Sequence, residues 1–197
     1  MKKLAIALAL GLASLGAQAQ TTTVETAPAK SLYFVVGAGL TFGGDKLATA
    51  EFENGGEINI HAGSMIALLA GLEYRVSPEF SVQGTVGYHV DNASASNGDI
   101  RFERVPVELL AYYHVNEQVR VGGGLRYVTN TALRSSGAGD IGDYDFKNTT
   151  SPVAEIEYLV SPQVGIKLRY VNDKFEEKQF GGKVKGDHVG ILANFYF

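Results

Sequence analysis

From Val189 to Phe197 the chain alternates without a break. Val189, Ile191, Ala193, Phe195 and Phe197 share one parity, and His188, Gly190, Leu192, Asn194 and Tyr196 share the other. Successive side chains of a strand point to opposite faces, so this segment predicts a strand with one apolar face. The rhythm recurs in Phe34-Val36-Ala38-Leu40-Phe42, in Phe80-Val82-Gly84-Val86-Tyr88, in Val119-Val121-Gly123-Leu125-Tyr127 and in Val164-Ile166-Leu168-Tyr170. Each of these rows ends on an aromatic. Rows running the other way end on Tyr74, Tyr113, Tyr158 and Phe195/Phe197.

Three short polar connections punctuate the rows: Val-Ser-Pro-Glu-Phe at 76–80, Val-Asn-Glu-Gln-Val at 115–119 and Val-Ser-Pro-Gln-Val at 160–164. Each puts three polar residues between apolar ones, a hairpin signal. Longer polar, Gly-rich stretches lie at 44–57, 91–101, 130–151 and 174–183. The punctuation predicts eight strands near 33–43, 58–75, 80–90, 102–115, 119–129, 152–160, 164–173 and 184–197. Short turns alternating with long loops predict an all-β fold, an eight-stranded antiparallel up-and-down transmembrane β-barrel.

The aromatic ends fall into two girdles: Phe34, Tyr74, Phe80, Tyr113, Tyr158, Phe195 and Phe197 at one rim, and Phe42, Tyr88, Tyr127 and Tyr170 at the other. Amphipathic rings favour the two interfaces of a bilayer. Phe34 to Phe42 spans about 26 Å along a strand at roughly 3.3 Å per residue. A tilt of about 40° reduces this to about 20 Å of height, near the apolar band of about 25 Å. A soluble sandwich has no reason to carry rings at both ends of an outer face.

The opposite parity carries the strand charges: Glu73, Arg75, Arg104, Glu108, Arg120, Arg126, Glu155, Glu157, Lys167 and Arg169, with His89, His114 and His188. Charges facing hydrocarbon are expensive, so this parity is expected to face a lumen. With Val160 opposite Val164, Glu157 faces Lys167 and Glu155 faces Arg169; with Val115 opposite Val119, Glu108 faces Arg126. An eight-stranded barrel is just wide enough inside for side chains to fill. Glu73, Arg75, Glu108, Arg120, Arg126, Glu155, Glu157, Lys167 and Arg169 are therefore expected to form a compact ion-pair network. Its role is read as structural, the other reading being an ion path or a gate between alternative pairings. Pro106 removes a ladder donor inside the fourth strand and predicts a bulge or edge there. Gly122-Gly123-Gly124 leaves room for inward neighbours or marks a bend.

Composition places these strands in a compartment. Met1-Lys2-Lys3, the apolar run Leu4 to Leu15 and Ala17-Gln18-Ala19 read as a secretory signal peptide over 1–19, cleaved after Ala19. Residues 20–31 read as a flexible periplasmic lead-in, and 32–197 as the barrel domain. The formal charge is −4, and removing the signal takes away two lysines and no acid. That balance argues against nucleic acid. No cysteine is present, which excludes disulfides and thiolate metal sites. No later stretch is long and apolar enough for a transmembrane helix.

Signal, alternating strands, tight turns and terminal Phe197 together resemble the small eight-stranded outer-membrane β-barrel superfamily, which includes the OmpX/Ail proteins and the OmpA transmembrane domain. The resemblance covers essentially the whole mature chain at the level of architecture. It implies a bacterial outer-membrane location, a monomer, insertion by the barrel-assembly machinery, and outer-membrane lipid and lipopolysaccharide as neighbours. The terminal aromatic looks like the signal that machinery reads. The resemblance implies a non-enzymatic protein acting in envelope structure, or in surface interaction with an extracellular ligand through its loops. The alternative is a narrow porin-like channel for ions or very small solutes.

Some barrels of this group modify lipid A, and His61-Ala62-Gly63-Ser64 is the nearest approach to a hydrolase pair. By parity His61 points in and Ser64 out, whereas a base must reach its nucleophile. His188 lies on the lumen side, with Asp187 on the other face. Asp140, Asp143 and Asp145 could offer oxygen ligands to calcium, but their spacing is not that of an EF-hand. No catalytic residue, metal site or cofactor is assigned. The fourth loop, Lys174 to Lys183, mixes both charges with Phe175 and Phe180 and is a candidate partner surface or rim packing.

Overall fold

A computed structural model describes residues 31–51, 57–95, 98–137 and 140–197. The expected signal peptide, and the lead-in up to Lys30, lie outside the described residues. Eight strands build one wall: β1 (Leu32–Gly43), β4 (Met65–Arg75), β5 (Phe80–Ala95), β6 (Gly98–His114), β7 (Val119–Gly137), β9 (Thr149–Ser161), β10 (Val164–Val171) and β13 (His188–Tyr196). The short strands β2 (Lys46–Glu51), β3 (Glu57–His61), β8 (Tyr144–Asp145), β11 (Lys174–Glu176) and β12 (Lys183–Lys185) lie in the long connections.

Every wall strand pairs antiparallel with its chain neighbour, β13 returns to β1, and the β6–β7 pairing leaves no open edge. The fold is the closed eight-stranded barrel expected from the alternation. Phe197 fastens the seam: its N–H donates to Phe34 O at 3.0 Å and its carbonyl accepts from Phe34 N–H at 2.8 Å. The two rings stack at 6.3 Å.

The apolar rows cover the outside. Phe34, Phe42, Leu125 and Ile191 are more than half exposed on the protein surface, whereas Arg120, Glu157 and Lys167 are at most 1% exposed inside. This is inside-out relative to a soluble sandwich and fits a wall in lipid. The upper girdle carries polar tips: Tyr88 OH donates to Glu103 at 2.8 Å, and Tyr127 OH accepts from Asn148 at 2.7 Å.

Three expectations change in detail. The strand predicted at 58–75 is two strands, because the chain turns at Ala62-Gly63 and Met65 adopts φ 77°. β3 leaves the wall to pair with β2. The stretches 91–101 and 130–151, predicted as loops, are largely strand: the β5–β6 ladder runs to Ala95 opposite Gly98, and β7 runs to Gly137. Above the girdle the alternation continues with its sense reversed. Asn92 and Ser94 face out, while Ala93, Ile100 and Phe102 are buried inside. Water outside now satisfies the polar face, so the apolar face turns inward.

The third change is at the turn 160–164. Val164 opposes Ser161 rather than Val160, and a bulge restores the expected register from Gly165 onward. Near Pro106 the β6–β7 register shifts between Glu103 and Val105, with Asn130 at φ 52° on the facing strand. This is the bulge the missing donor called for. Gly122 faces in, where a Cβ would run into the Tyr112 ring.

Ala38 sits midway along β1 on the lipid side. Ala38→Arg is expected to destabilise the barrel by about 2–4 kcal/mol, the cost of a cation at the bilayer midplane. Denaturant unfolding of the barrel in lipid vesicles measures it.

Candidate functional site: the filled lumen

The parity that faces away from lipid converges on the barrel axis. Near the periplasmic end, Arg120 of β7 gathers two carboxylates. Its guanidinium reaches Glu73 of β4 at 2.7 Å and Glu157 of β9 at 2.7 Å, and donates to Tyr196 OH at 2.6 Å. Tyr196 in turn donates to Glu157 at 2.6 Å. Arg120 also lies over the Tyr112 ring at 4.3 Å. All five groups are buried.

One level up, Glu155 accepts an ion pair from Lys167 at 2.8 Å and one from Arg169 at 3.2 Å. Tyr112 OH donates to the same carboxylate and accepts from Lys167 at 2.7 Å. Above that, Glu108 sits between Arg126 at 2.6 Å and Arg169 at 2.8 Å. Arg126 also reaches Asp173 at 3.2 Å. His89 stands between Arg104 and Arg126: Arg104 Nε donates to His89 Nδ1 at 3.2 Å, and His89 Nε2 bonds Thr41 Oγ1 at 2.7 Å. His89 and His188 meet edge to face at 5.2 Å.

An apolar storey closes the top. Phe102, Phe146 and Phe175 contact one another edge to face, with ring centroids 5.5, 5.7 and 6.4 Å apart. Ile60 and Ala62 reach this cluster from β3 and the turn after it, and Ile100 and Leu133 from β6 and β7. Arg104 lies over the Phe102 ring at 4.8 Å, joining the two storeys.

Lys167 opposes Glu157, Arg169 opposes Glu155 and Arg126 opposes Glu108 in the ladders. Arg169–Glu155 and Arg126–Glu108 are ion pairs. Glu157 and Lys167 are not paired with each other: Glu157 goes to Arg120 and Lys167 to Glu155. The cause is the third strand, since Arg120 also opposes Glu157 in the β7–β9 ladder and brings two more donors. Arg75 stays outside the network. It is half-buried, lies over the Tyr33 ring at 5.7 Å, and has no carboxylate within 4 Å among the described residues.

Asp173, Tyr112 and Tyr196 join the network although none is among the residues expected to form it. The two tyrosines lie on the inward parity, so the alternation held their signal. Asp173 sits where a strand was expected to end.

The loop acids close on their own strands. Asp145 pairs with Arg134 at 2.6 Å, and that hydrogen bond holds its carboxyl below the usual range. Asp143 accepts from Ser135 N–H at 3.1 Å, and Asp140 from Gly142 N–H at 3.0 Å. Among the described residues no group of three or more His, Cys, Asp or Glu side chains could hold a metal ion.

Closed wall, lipid-facing rows and ionic interior meet in a family model for the outer membrane protein beta-barrel domain, which matches residues 5–197. The chain belongs to that family. No curated protein matches it in sequence. Among solved structures it is similar to Ail, the attachment invasion locus protein of Yersinia pestis, crystallised with the heparin analogue sucrose octasulfate. The TM-score is 0.53 at 16% identity, covering 85% of this chain and 98% of Ail. It is also similar to Neisserial surface protein A, with a TM-score of 0.49 at 12% identity, covering 84% of this chain and 97% of that one. Such identities speak to fold alone. Family and fold place the chain in the bacterial outer membrane.

Arg120→Met is expected to leave Glu73 and Glu157 buried without their cation. The cost is about 3–5 kcal/mol. It is read as a lowered denaturant midpoint in vesicles.

Proposed function

We propose that this is a non-conducting, non-enzymatic barrel that acts through the surface it displays outside the membrane. The observation that carries the reading is the filled lumen. Guanidinium and carboxylate groups pair from wall to wall over three levels, and the phenylalanine storey sits on top of them. An ion crossing this column would have to separate buried pairs and then pass an apolar layer, each step costing several kcal/mol. The void beside His89 and Pro106 is about 10 Å³, room for one water.

The extracellular side supports a display role. Phe180 at the β11–β12 tip is 81% exposed. Its turn is tied down: the Glu177 carboxylate accepts from the N–H groups of Gln179 and Phe180, and Glu177 N–H donates to Gly182 O at 2.8 Å. A held, exposed aromatic is the kind of anchor a partner buries. Ser64, the hydroxyl considered as a nucleophile, exchanges two hydrogen bonds of 3.1 Å with the Gly43 backbone. On this reading the barrel is a monomer inserted by the barrel-assembly machinery, with lipopolysaccharide around it.

Planar-bilayer recording of the refolded barrel tests the proposal. A silent membrane is expected, together with an unchanged lipid A acyl pattern on overexpression. Steady single-channel steps that change with Glu157→Gln or Arg126→Gln would overturn it.

A further inference from the structure

Of the buried arginines and lysines, Arg104 alone has no carboxylate within 4 Å among the described residues. Arg120, Arg126, Lys167 and Arg169 each have one or more. Arg104 is fully buried, and its Nη1 has no hydrogen-bond partner among the described residues. Its guanidinium rests between the His89 ring below and the Phe102 ring above. A carboxylate would hold a buried guanidinium more strongly than an imidazole does.

The bonds fix the state of the His89 ring. Arg104 Nε donates to His89 Nδ1 at 3.2 Å, and Arg126 Nη2 lies 3.3 Å from the same nitrogen. A guanidinium has donors and no acceptor, so Nδ1 must carry a lone pair. The one ring proton sits on Nε2, which lies 2.7 Å from Thr41 Oγ1, an acceptor, and 2.9 Å from Arg104 Nη2. A second ring proton would point at two guanidinium donors. His188 meets this ring edge to face, with its Nδ1 2.7 Å from Gly186 O. That carbonyl can only accept, so Nδ1 of His188 is protonated already.

The charged groups round the two rings come from five wall strands. β6 brings Arg104 and Glu108, β7 brings Arg126, β10 brings Arg169 with Asp173 just beyond it, β5 brings Asp91, and β13 brings His188 itself. Three cations and three carboxylates balance as they stand. A proton on His89 adds a fourth cation and turns an acceptor into a donor.

The displaced guanidinium has a second place to go. Asp173 Oδ1 is buried without a hydrogen-bond partner among the described residues, and Asp173 is close enough to act on Arg104 through its charge. Arg104 thus has two arrangements: on His89 beneath Phe102, or on Asp173. The first joins the ionic column to the phenylalanine storey. We propose that His89 is an acid-sensitive keystone: a proton on Nδ1 frees Arg104, and the storey of Phe102, Phe146 and Phe175 loosens from the column beneath it. The β11–β12 hairpin, which carries Phe175 and Phe180, loosens with it, so the extracellular surface is ordered at neutral pH and relaxed in acid. None of this depends on what the loop tips recognise or on whether the lumen conducts.

The sign follows from the ring. Free imidazole takes up its proton near pH 6.5, so the closed storey is favoured above that pH and loses about tenfold per unit below it. Amide hydrogen exchange of the whole mature chain in phosphatidylcholine nanodiscs reads the opening, once the intrinsic pH dependence of exchange is divided out. Protection over 100–105 and 171–176 is expected to fall about 30-fold between roughly pH 7.5 and pH 5, while that over 82–86 in the membrane wall holds. His89→Gln keeps an acceptor for Arg104 at either pH and is expected to abolish the fall. Arg104→Gln, which removes the cation that the proton would displace, is expected to abolish it too, and His114→Gln to leave it as in the parent. A heat-modifiable gel shift verifies that each variant is folded. Equal protection of the parent at both pH values would overturn the proposal, and so would a fall of the parent's size in either folded variant, His89→Gln or Arg104→Gln.

Discussion

Hydrocarbon offers no hydrogen-bond partner, and everything in this barrel follows from that. A strand edge in lipid would strand its backbone groups, so the sheet must close, as the β6–β7 and β1–β13 ladders do. Ionised side chains must turn from lipid into a space too narrow for bulk water, so they must find one another. Arg120 shows how tightly the two demands are linked. It holds carboxylates from β4 and β9, strands that are not neighbours in the wall, and so ties opposite sides together across the axis. Such a network adds less stability than its bonds suggest, because every member was first taken out of water. Its stronger effect is to penalise any arrangement that leaves one charge alone.

The wall then reverses its logic where lipid gives way to water. The face that carries Arg126 and Arg169 lower down carries Val128 and Phe175 higher up. The barrel is thus two structures stacked on one set of strands: a membrane wall with an ionic core, and a small aqueous sandwich with an apolar one. Asn92 and Ser94 outside, Ala93 and Ile100 inside, are the ordinary pattern of a soluble sheet.

What could be read from the chain follows the same division. Inside the membrane the alternation is strong, because both faces are constrained, and three tight turns set the register that opposes Glu108 to Arg126 and Glu155 to Arg169. The Val164 bulge was invisible, since it left that register intact. The partner of Lys167 was not legible from a hairpin, because Arg120 on a third strand decides where Glu157 goes. Above the membrane the reversed alternation of small and polar residues looks like loop, which hides the upper ladders; Asp173 lies on the inward parity at the very end of the expected strand. The break before β4 hid between two stretches that both read as strand, Ile58 to His61 and Met65 onward, with only Ala62-Gly63-Ser64 to mark it.

The central claim is which face of each strand meets lipid. The chain has no cysteine, so a single one can be introduced at each position of β5 from Val82 to Tyr88 and spin-labelled. Oxygen and an aqueous nickel chelate report lipid and water separately in vesicles. Oxygen accessibility is expected to peak at positions 82, 84, 86 and 88 and to fall at 83, 85 and 87. Peaks on the odd positions, or no alternation, would contradict the account.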